Sequence, residues 1–185
     1  MKNEGRKILF ITPPYHCGVV EVAGTWPALS YVPLAAPAEL AGRTAEIYDA
    51  MSLRHDHAKI DELLRDKQFD ILAVGAITPT FPDALEVCDT AKRINPDVVT
   101  LMGGVHPSFM AEQILQGESA VDYIIAGEAE LPLHAFLQDF DDLEKRHASP
   151  NLVRRGDFGP LKNANLPLME NFDDLPMAWH LLDWE

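Results

Sequence analysis

The chain has 185 residues, of which 47% are hydrophobic and 24% charged, the proportions of one ordinary globular domain with room for a small appendage. Its formal net charge of −14 argues against phosphate backbones and anionic membrane surfaces as partners, so we expect no nucleic-acid partner. No apolar run reaches the roughly 20 residues of a membrane span, and no signal peptide is visible. We therefore expect a cytoplasmic protein without a membrane span.

Short apolar runs alternate with helical patterns along the chain. The predicted strands are residues 7–12, 44–48, 69–77, 98–102 and 123–126, and the predicted helices are 30–41, 56–67, 83–94, 109–116 and 131–139. Pro37 does not fit a helix interior, because proline lacks the N–H group and clashes one turn back. We expect the first helix to start late or to be kinked there.

This alternation predicts an α/β fold, specifically a Rossmann-like or flavodoxin-like doubly wound sheet of five parallel strands. Residues 1–145 form this domain, and residues 139–147 are charged and predicted to be solvated. Residues 151–153 and 159–162 flank a turn and predict a small hairpin, which is followed by a linker to residue 185. In such a fold the ligand crevice lies at the carboxyl ends of the strands.

Small or polar residues follow every predicted strand. They are Thr12-Pro13-Pro14, Asp49-Ala50, Thr78-Pro79-Thr80, the segment 103–107 (GGVHP) and the segment 127–130 (GEAE). Each one alone is typical of a turn, but together they lie at one sheet edge, where small residues let a large ligand approach the backbone. No G-x-G-x-x-G or P-loop motif follows the first strand, which disfavours a dinucleotide or nucleoside triphosphate.

The reactive side chains form no recognisable catalytic or metal site. His16 and Cys17 are adjacent, and adjacent residues rarely face one another as a nucleophile pair requires. His55 and His57 lack zinc-ligand spacing. Glu128 could act in acid–base chemistry, although a role at the start of the last helix is better supported. We therefore predict no catalytic residue and no protein metal ligand.

Taken in order, the strand-end motifs resemble those of the N-terminal cobalamin-binding domain of B12-dependent radical S-adenosylmethionine (SAM) enzymes. That family has a strand followed by x-PP and a long loop, then a T-x-T or S-x-T strand end, then GGxHP, then GE-x-E. The matching segments here are 11–14, 78–80, 103–107 and 127–130. The resemblance covers nearly the whole chain and implies a domain that binds cobalamin.

Further segments are similar to the anaerobic oxidative cyclase family that forms the isocyclic ring of (bacterio)chlorophyll from magnesium-protoporphyrin IX monomethyl ester. They are 15–16 (YH), 23–27 (AGTWP), 48–51 (YDAM) and 181–185 (LLDWE). That family continues into a radical SAM domain, which implies a 4Fe-4S cluster and S-adenosylmethionine in a parent enzyme, with residues 146–185 leading toward it. The chain has two cysteines, too few for such a cluster, so we expect no activity from it alone.

Two alternatives remain open. A stand-alone B12-binding sensor or carrier without catalysis would also lack the cluster cysteines. A receiver-type domain is a weaker alternative, because Thr12-Pro13 supplies no acidic cluster at the end of the first strand.

The resemblance also implies which residues bind the cofactor. Thr78, Thr80, Gly103 and Gly104 would flank the nucleotide tail; Thr12, Pro13, Tyr15, His16, Val105 and His106 would lie nearer the corrin; Gly127 and Glu128 would close the far edge. Methionine synthase-like domains carry D-x-H-x-x-G, whose histidine ligates cobalt, and the segment 14–18 (PYHCG) does not fit that pattern. We therefore expect no protein histidine on cobalt.

Overall fold

The computed structural model describes residues 6–14 and 27–183. The strands are β1 (Lys7–Ile11), β2 (Thr44–Tyr48), β3 (Ile71–Gly75), β4 (Val99–Gly103), β5 (Tyr123–Ile125), β6 (Leu152–Gly156) and β7 (Gly159–Lys162). The helices are α1 (Val32–Leu40), α2 (His57–Asp66), α3 (Phe81–Ile94), α4 (Val105–Gly117), α5 (Glu130–Gln138) and α6 (Leu143–His147). Short 3₁₀ turns lie at Leu29–Tyr31, Thr78–Thr80, Phe172–Asp174 and Trp179–Leu181.

The strands form one seven-stranded sheet in the order β2-β1-β3-β4-β5-β6-β7. The first five are parallel, which confirms the predicted α/β fold with its Rossmann-like parallel sheet. The predicted hairpin is present, but it extends the sheet instead of standing apart from it. Strand β6 pairs antiparallel with β5, placing Val153 opposite Ile124, and both side chains are fully buried. Burial of this apolar pair against the sheet explains the attachment.

Helices cover both faces of the parallel strands. On one face, α2, α3 and α4 contribute Ile60, Val87 and Ile114 to a core. On the other face, α1 and α5 contribute Ala35 and Phe136 to a second core. Because both faces are covered, the central strands are continuous apolar runs without polar alternation.

All five predicted helices are present with shifted bounds, and the differences at α1 and α4 involve proline. Helix α1 follows a 3₁₀ turn and contains Pro37, whose ring is buried, and it ends three residues later. Helix α4 begins at Val105, four residues earlier than predicted, after Gly104. Pro107 lies in the first turn of α4, where the missing N–H would have had no partner within the helix. The charged stretch 139–147 includes a further short helix, α6.

The segment after the hairpin returns along the domain. The Ala178 amide donates to the Val32 carbonyl oxygen over 3.2 Å, and Ala178 and Leu182 are buried against the core. The apolar tail therefore packs on α1. Over residues 6–14 and 27–183, no helix combines the length and the apolar character that crossing a membrane requires.

Candidate functional site

The candidate site lies at the edge where the parallel strands β1 to β5 end. Residues from the predicted set that the structure brings to this edge are Thr12, Pro13, Thr78, Thr80, Gly103, Gly104, Val105, His106, Gly127 and Glu128. Tyr15 and His16 belong to the same predicted set but lie outside the described residues. In open α/β sheets this edge is where ligands bind.

The end of β1 is tied to the end of β2 through Thr12. The Thr12 hydroxyl donates to Asp49 Oδ1 over 3.0 Å and accepts from the Met51 amide over 3.0 Å. Asp49 Oδ1 also accepts from the Ser52 amide. Pro13 is buried behind this turn. The Thr12 hydroxyl is thus already used to shape the loop after β2.

The glycine pair after β4 brings two backbone segments unusually close together. Gly104 has φ +95°, and a Cβ atom there would lie 2.7 Å from the Ala76 carbonyl oxygen. The Ala76 amide donates to the Gly103 carbonyl oxygen, and the His106 amide donates to the Ala76 carbonyl oxygen. Only glycine combines this dihedral angle with this approach. A Cβ on Gly103 would come no nearer than 3.8 Å to its neighbours.

His106 faces the loop after β3. Its Nδ1 lies 3.1 Å from the Thr78 hydroxyl, and its ring lies 4.4 Å, between centroids, from that of Phe81. Thr80 is only 4% exposed, and its hydroxyl bonds the backbone of Ile77, so it stabilises the 3₁₀ turn. Val105 is 62% exposed at the same edge. Thr78, Val105 and His106 therefore form the accessible part of this group.

The end of β5 is linked to α4 and to the returning tail. The Gly127 amide donates to the Ser108 hydroxyl over 2.9 Å, and that hydroxyl donates to the Gly104 carbonyl oxygen over 2.7 Å. Glu128 accepts from the Met169 amide over 2.9 Å through its carboxylate. The side-chain capping role suggested for Glu128 is absent, because α5 begins after Ala129 with no side-chain cap.

A cavity of about 120 Å³ opens beneath the glycine pair. It lies between the sheet and helices α1 and α5, and its walls include Phe10, Leu34, Leu101, Ile125 and Leu133. Pockets for whole ligands occupy roughly 300–1,000 Å³. This cavity therefore has the size for one part of a large ligand, and its lining suits an apolar ring.

Tyr31 forms one wall of this cavity. Its hydroxyl donates to the Ile11 carbonyl oxygen over 2.7 Å and accepts from the Gly75 amide over 2.7 Å, joining the ends of β1 and β3. Burial raises the pKa of Tyr31 well above that of an exposed phenol. The side chain is therefore a neutral structural bridge at the site.

His55 and His57 contact neighbouring side chains, and Cys88 is buried. His55 Nδ1 contacts the Tyr48 hydroxyl, and His57 Nε2 lies 2.9 Å from Asp83 Oδ1. Cys88 is buried, and this raises the pKa of its thiol to about 12. The described part of the chain contains no group of three or more histidine, cysteine or carboxylate side chains that could hold a metal ion.

Three residues that shape this edge were missed by the sequence analysis: Tyr31, Ser108 and Asn151. Asn151 adopts φ +59°, and its buried amide group donates to the Ala126 carbonyl oxygen and accepts from the Leu166 amide. Asparagine tolerates left-handed backbone better than most residues, which was a weak signal for a special turn. Nothing in the local pattern distinguished Tyr31 or Ser108.

Comparison with curated proteins finds relatives of known name. The chain is 31% identical over 183 residues to the anaerobic magnesium-protoporphyrin IX monomethyl ester cyclase of Cereibacter sphaeroides, covering 97% of this chain and 30% of that protein. The match to the enzyme of the same name from Rubrivivax gelatinosus is also 31% identical, covering 97% and 33%. The chain thus spans about a third of the length of these relatives.

Solved structures share the fold. The cobalamin-dependent SAM radical enzyme OxsB, with aqua-cobalamin and S-adenosylmethionine bound, has a TM-score of 0.72 at 19% identity, over 89% of this chain and 23% of that one. The radical SAM methyltransferase TsrM from Kitasatospora setae, with cobalamin and a [4Fe-4S] cluster bound, has a TM-score of 0.70 at 16% identity, over 94% and 31%.

A family model described as the B12 binding domain matches residues 15–137. That span begins after β1, contains the strand ends of β2 to β5 and closes within α5. Together with the parallel sheet, the glycine pair and the identity to the two cyclases, the match means that this chain belongs to the B12-binding domain family.

Proposed function

We propose that the chain is the cobalamin-binding module of a B12-dependent radical SAM enzyme of the oxidative cyclase type. The observation that carries the proposal is the apolar cavity beneath Gly103-Gly104 at the carboxyl edge of the sheet. The family match supports cobalamin as the ligand. The two cyclase relatives support magnesium-protoporphyrin IX monomethyl ester as the substrate of the whole enzyme.

We infer that the residues at this edge receive a corrin with a nucleotide tail. The lower base would enter the cavity between α1 and α5, flanked by Gly103, Gly104 and the turn that holds Thr78 and Thr80. The exposed Val105 and His106, together with Thr12, Pro13, Tyr15 and His16, would lie nearer the corrin, and Gly127 and Glu128 would close the far edge. When bound, cobalamin supplies radical and redox chemistry that amino-acid side chains lack.

The chain's own contribution is to bind and orient. Because residue 104 is a glycine at φ +95°, no side chain separates the loop after β4 from the loop after β3. The bond from Thr12 to Asp49 and the bond from Glu128 to the Met169 amide hold the loops at either end of the edge. These fixed loops would let the cofactor bind without reordering the backbone, which lowers the entropic cost of association.

We further propose that no histidine of this chain ligates cobalt. The His106 ring is held against Phe81 and bonded to Thr78. The loop after β1 lacks D-x-H-x-x-G, the pattern with the cobalt-ligating histidine. A radical SAM domain, in the same chain or another, would then be the partner that brings the iron–sulfur cluster and S-adenosylmethionine.

The test is to mix the purified chain with hydroxocobalamin, desalt it, and measure the retained corrin absorbance. We expect near-equimolar retention by the wild type and by Leu40→Trp, and loss in Leu34→Trp, whose indole would fill the cavity. Leu34 lines the cavity, whereas Leu40 lies on the same helix and is 68% exposed. No retention by the wild type would overturn the assignment.

The same sample tests the cobalt ligand. After reduction to cob(II)alamin, electron paramagnetic resonance spectra are compared for protein with ordinary and with ¹⁵N-labelled histidine. We expect identical nitrogen hyperfine patterns. A pattern that changes with the label would show a protein imidazole on cobalt and refute this part of the proposal.

A further inference from the structure

We infer that the cleft discriminates among cobamides by the polarity of their lower base, accepting an apolar ring in preference to one with free hydrogen-bonding groups. The inference rests on the proposed function, because it assumes that the cavity between α1 and α5 receives the lower base.

The lining of the cavity is the first observation. Its walls are built from Phe10, Leu101, Ile125 and Leu133, each less than 5% exposed, with Leu34 at the side of α1. Ser30, which is itself exposed, is the lining residue other than Tyr31 that carries a hydroxyl. Among the described residues, the cavity thus offers no buried side chain that is free to bond a polar ring substituent.

The state of the Tyr31 hydroxyl is the second observation. Its single proton is donated to the Ile11 carbonyl oxygen, and it accepts from the Gly75 amide. To bond a ligand, Tyr31 would have to release one of two buried backbone groups, which would then lack a partner. Among the described residues that line the cavity, the buried polar side chain is that of Tyr31, and its hydroxyl is already bonded to the protein on both sides.

These two observations set the expected selectivity. An adenine base carries an exocyclic amine and several ring nitrogens, all of which need partners when water is removed. Dimethylbenzimidazole has far fewer such groups, and a phenolic base joined through its oxygen has no free donor. One unpaired polar group in the cavity should weaken binding by about tenfold to a hundredfold.

The experiment titrates the 185-residue chain with four corrinoids and obtains each Kd from the change in corrin absorbance. The corrinoids are cobalamin, the adenyl cobamide, a phenolyl cobamide and cobinamide, which lacks the lower base. We expect the adenyl form to bind at least about tenfold more weakly than the phenolyl form. The phenolyl base cannot ligate cobalt, so its affinity includes no cost of detaching the base.

A pair of variants then tests the cavity directly. Leu34→Asn places an amide in the cavity wall and should reduce severalfold the ratio of the Kd for the adenyl cobamide to the Kd for the phenolyl cobamide. Leu40→Asn makes the same change at the exposed end of α1 and should leave the preference unchanged. A circular dichroism melt of each variant shows whether it is folded before the affinities are compared.

The outcomes separate this inference from the proposed function. Failure of all four corrinoids to bind would overturn the proposed function itself. Equal affinity for the phenolyl and adenyl forms, or cobinamide binding as tightly as cobalamin, would leave cobalamin binding intact and refute selection by the cavity.

Discussion

At the scale of single residues, the glycine pair decides the geometry of the candidate site. Gly103 has space for a side chain, whereas Gly104 does not, because its φ is +95° and a Cβ there would lie only 2.7 Å from the Ala76 carbonyl oxygen. The two glycines are indistinguishable in the sequence. Gly104 is the one that cannot be replaced, because the loops after β3 and β4 approach each other closely at that residue.

Gly104→Ala should therefore destabilise the fold. We expect a loss of about 2–4 kcal/mol in the free energy of unfolding, from backbone strain and from the clash with Ala76. The measurement is urea unfolding followed by circular dichroism. Gly117→Ala, at the last residue of α4, is the matched control, since a Cβ there meets nothing within 4 Å. The control should be neutral or slightly stabilising. Equal midpoints for the two variants would contradict the expectation.

His147 gives the chain a second residue-level property. Burial, together with Arg154 and Arg146, lowers the pKa of His147 below its ordinary value of 6.5. Its Nε2 lies 3.0 Å from the Tyr123 hydroxyl, as suits a neutral imidazole that accepts the phenol proton. The unfolded chain then binds a proton more readily than the folded chain below pH 6.5. The contribution of His147 to the free energy of unfolding is therefore fully present above pH 6.5, and it decreases as the pH falls toward the lowered pKa of the folded chain.

Urea unfolding at pH 7.5 and 5.5 measures this linkage. We expect His147→Gln to lose less stability on acidification than the wild type does. The difference should be less than about 1 kcal/mol, because solvent screens a partly buried group. Asn165→Ala, which changes an exposed side chain that does not titrate, serves as control and should lose as much stability on acidification as the wild type. Identical pH dependence of the wild type and His147→Gln would disprove the linkage.

At the scale of elements, the hairpin of β6 and β7 is part of the sheet and borders the site. Asn151 joins three segments: its amide group bonds the Ala126 carbonyl oxygen at the end of β5 and the Leu166 amide in the returning tail. Its own backbone bonds Ala126 and Ala164. The tail thereby reaches Glu128 and borders the site.

Asn151→Ala should loosen this junction. It removes the side-chain partner of the buried Ala126 carbonyl oxygen and of the partly buried Leu166 amide, and it keeps φ +59° on a residue with a Cβ. We expect a loss of about 2–4 kcal/mol in the free energy of unfolding. Asn151→Gly removes the same bonds but relieves the backbone, so it should lose about 1 kcal/mol less.

Chemical denaturation of both variants provides the measurement. Asn165→Ala is the control in the same tail, where the side chain is exposed, and it should change stability by no more than about 0.5 kcal/mol. If Asn151→Ala were as stable as Asn165→Ala, the junction would contribute nothing to folding.

At the scale of the whole molecule, two cores on opposite faces of the sheet hold the site rigidly at one edge. The core formed by α1 and α5 leaves a cavity beneath the glycine pair, while the core formed by α2, α3 and α4 anchors the loops after β3 and β4.

The sequence by itself determined the fold class and the alternation of the first five strands and helices along the chain, and it predicted the sheet edge at which the candidate site lies. These follow from apolar runs and strand-end residues, which are local features of the chain. The strand-end motifs also sufficed to identify the B12-binding family. Helix bounds were less accurate, as at α4, because Pro107 is compatible with both a loop and a first helical turn.

Only the tertiary structure decided the rest. The two hydrogen bonds of the Tyr31 hydroxyl and the Asn151 junction depend on contacts between residues 15 to 44 positions apart, from Asn151 with Leu166 to Tyr31 with Gly75. The cavity likewise brings together residues that are distant in the chain, such as Phe10 and Leu133. Attachment of the hairpin to β5 is likewise a long-range pairing. A periodic pattern reports which face of an element is buried, but it does not report what lies across from it, and that is set by packing.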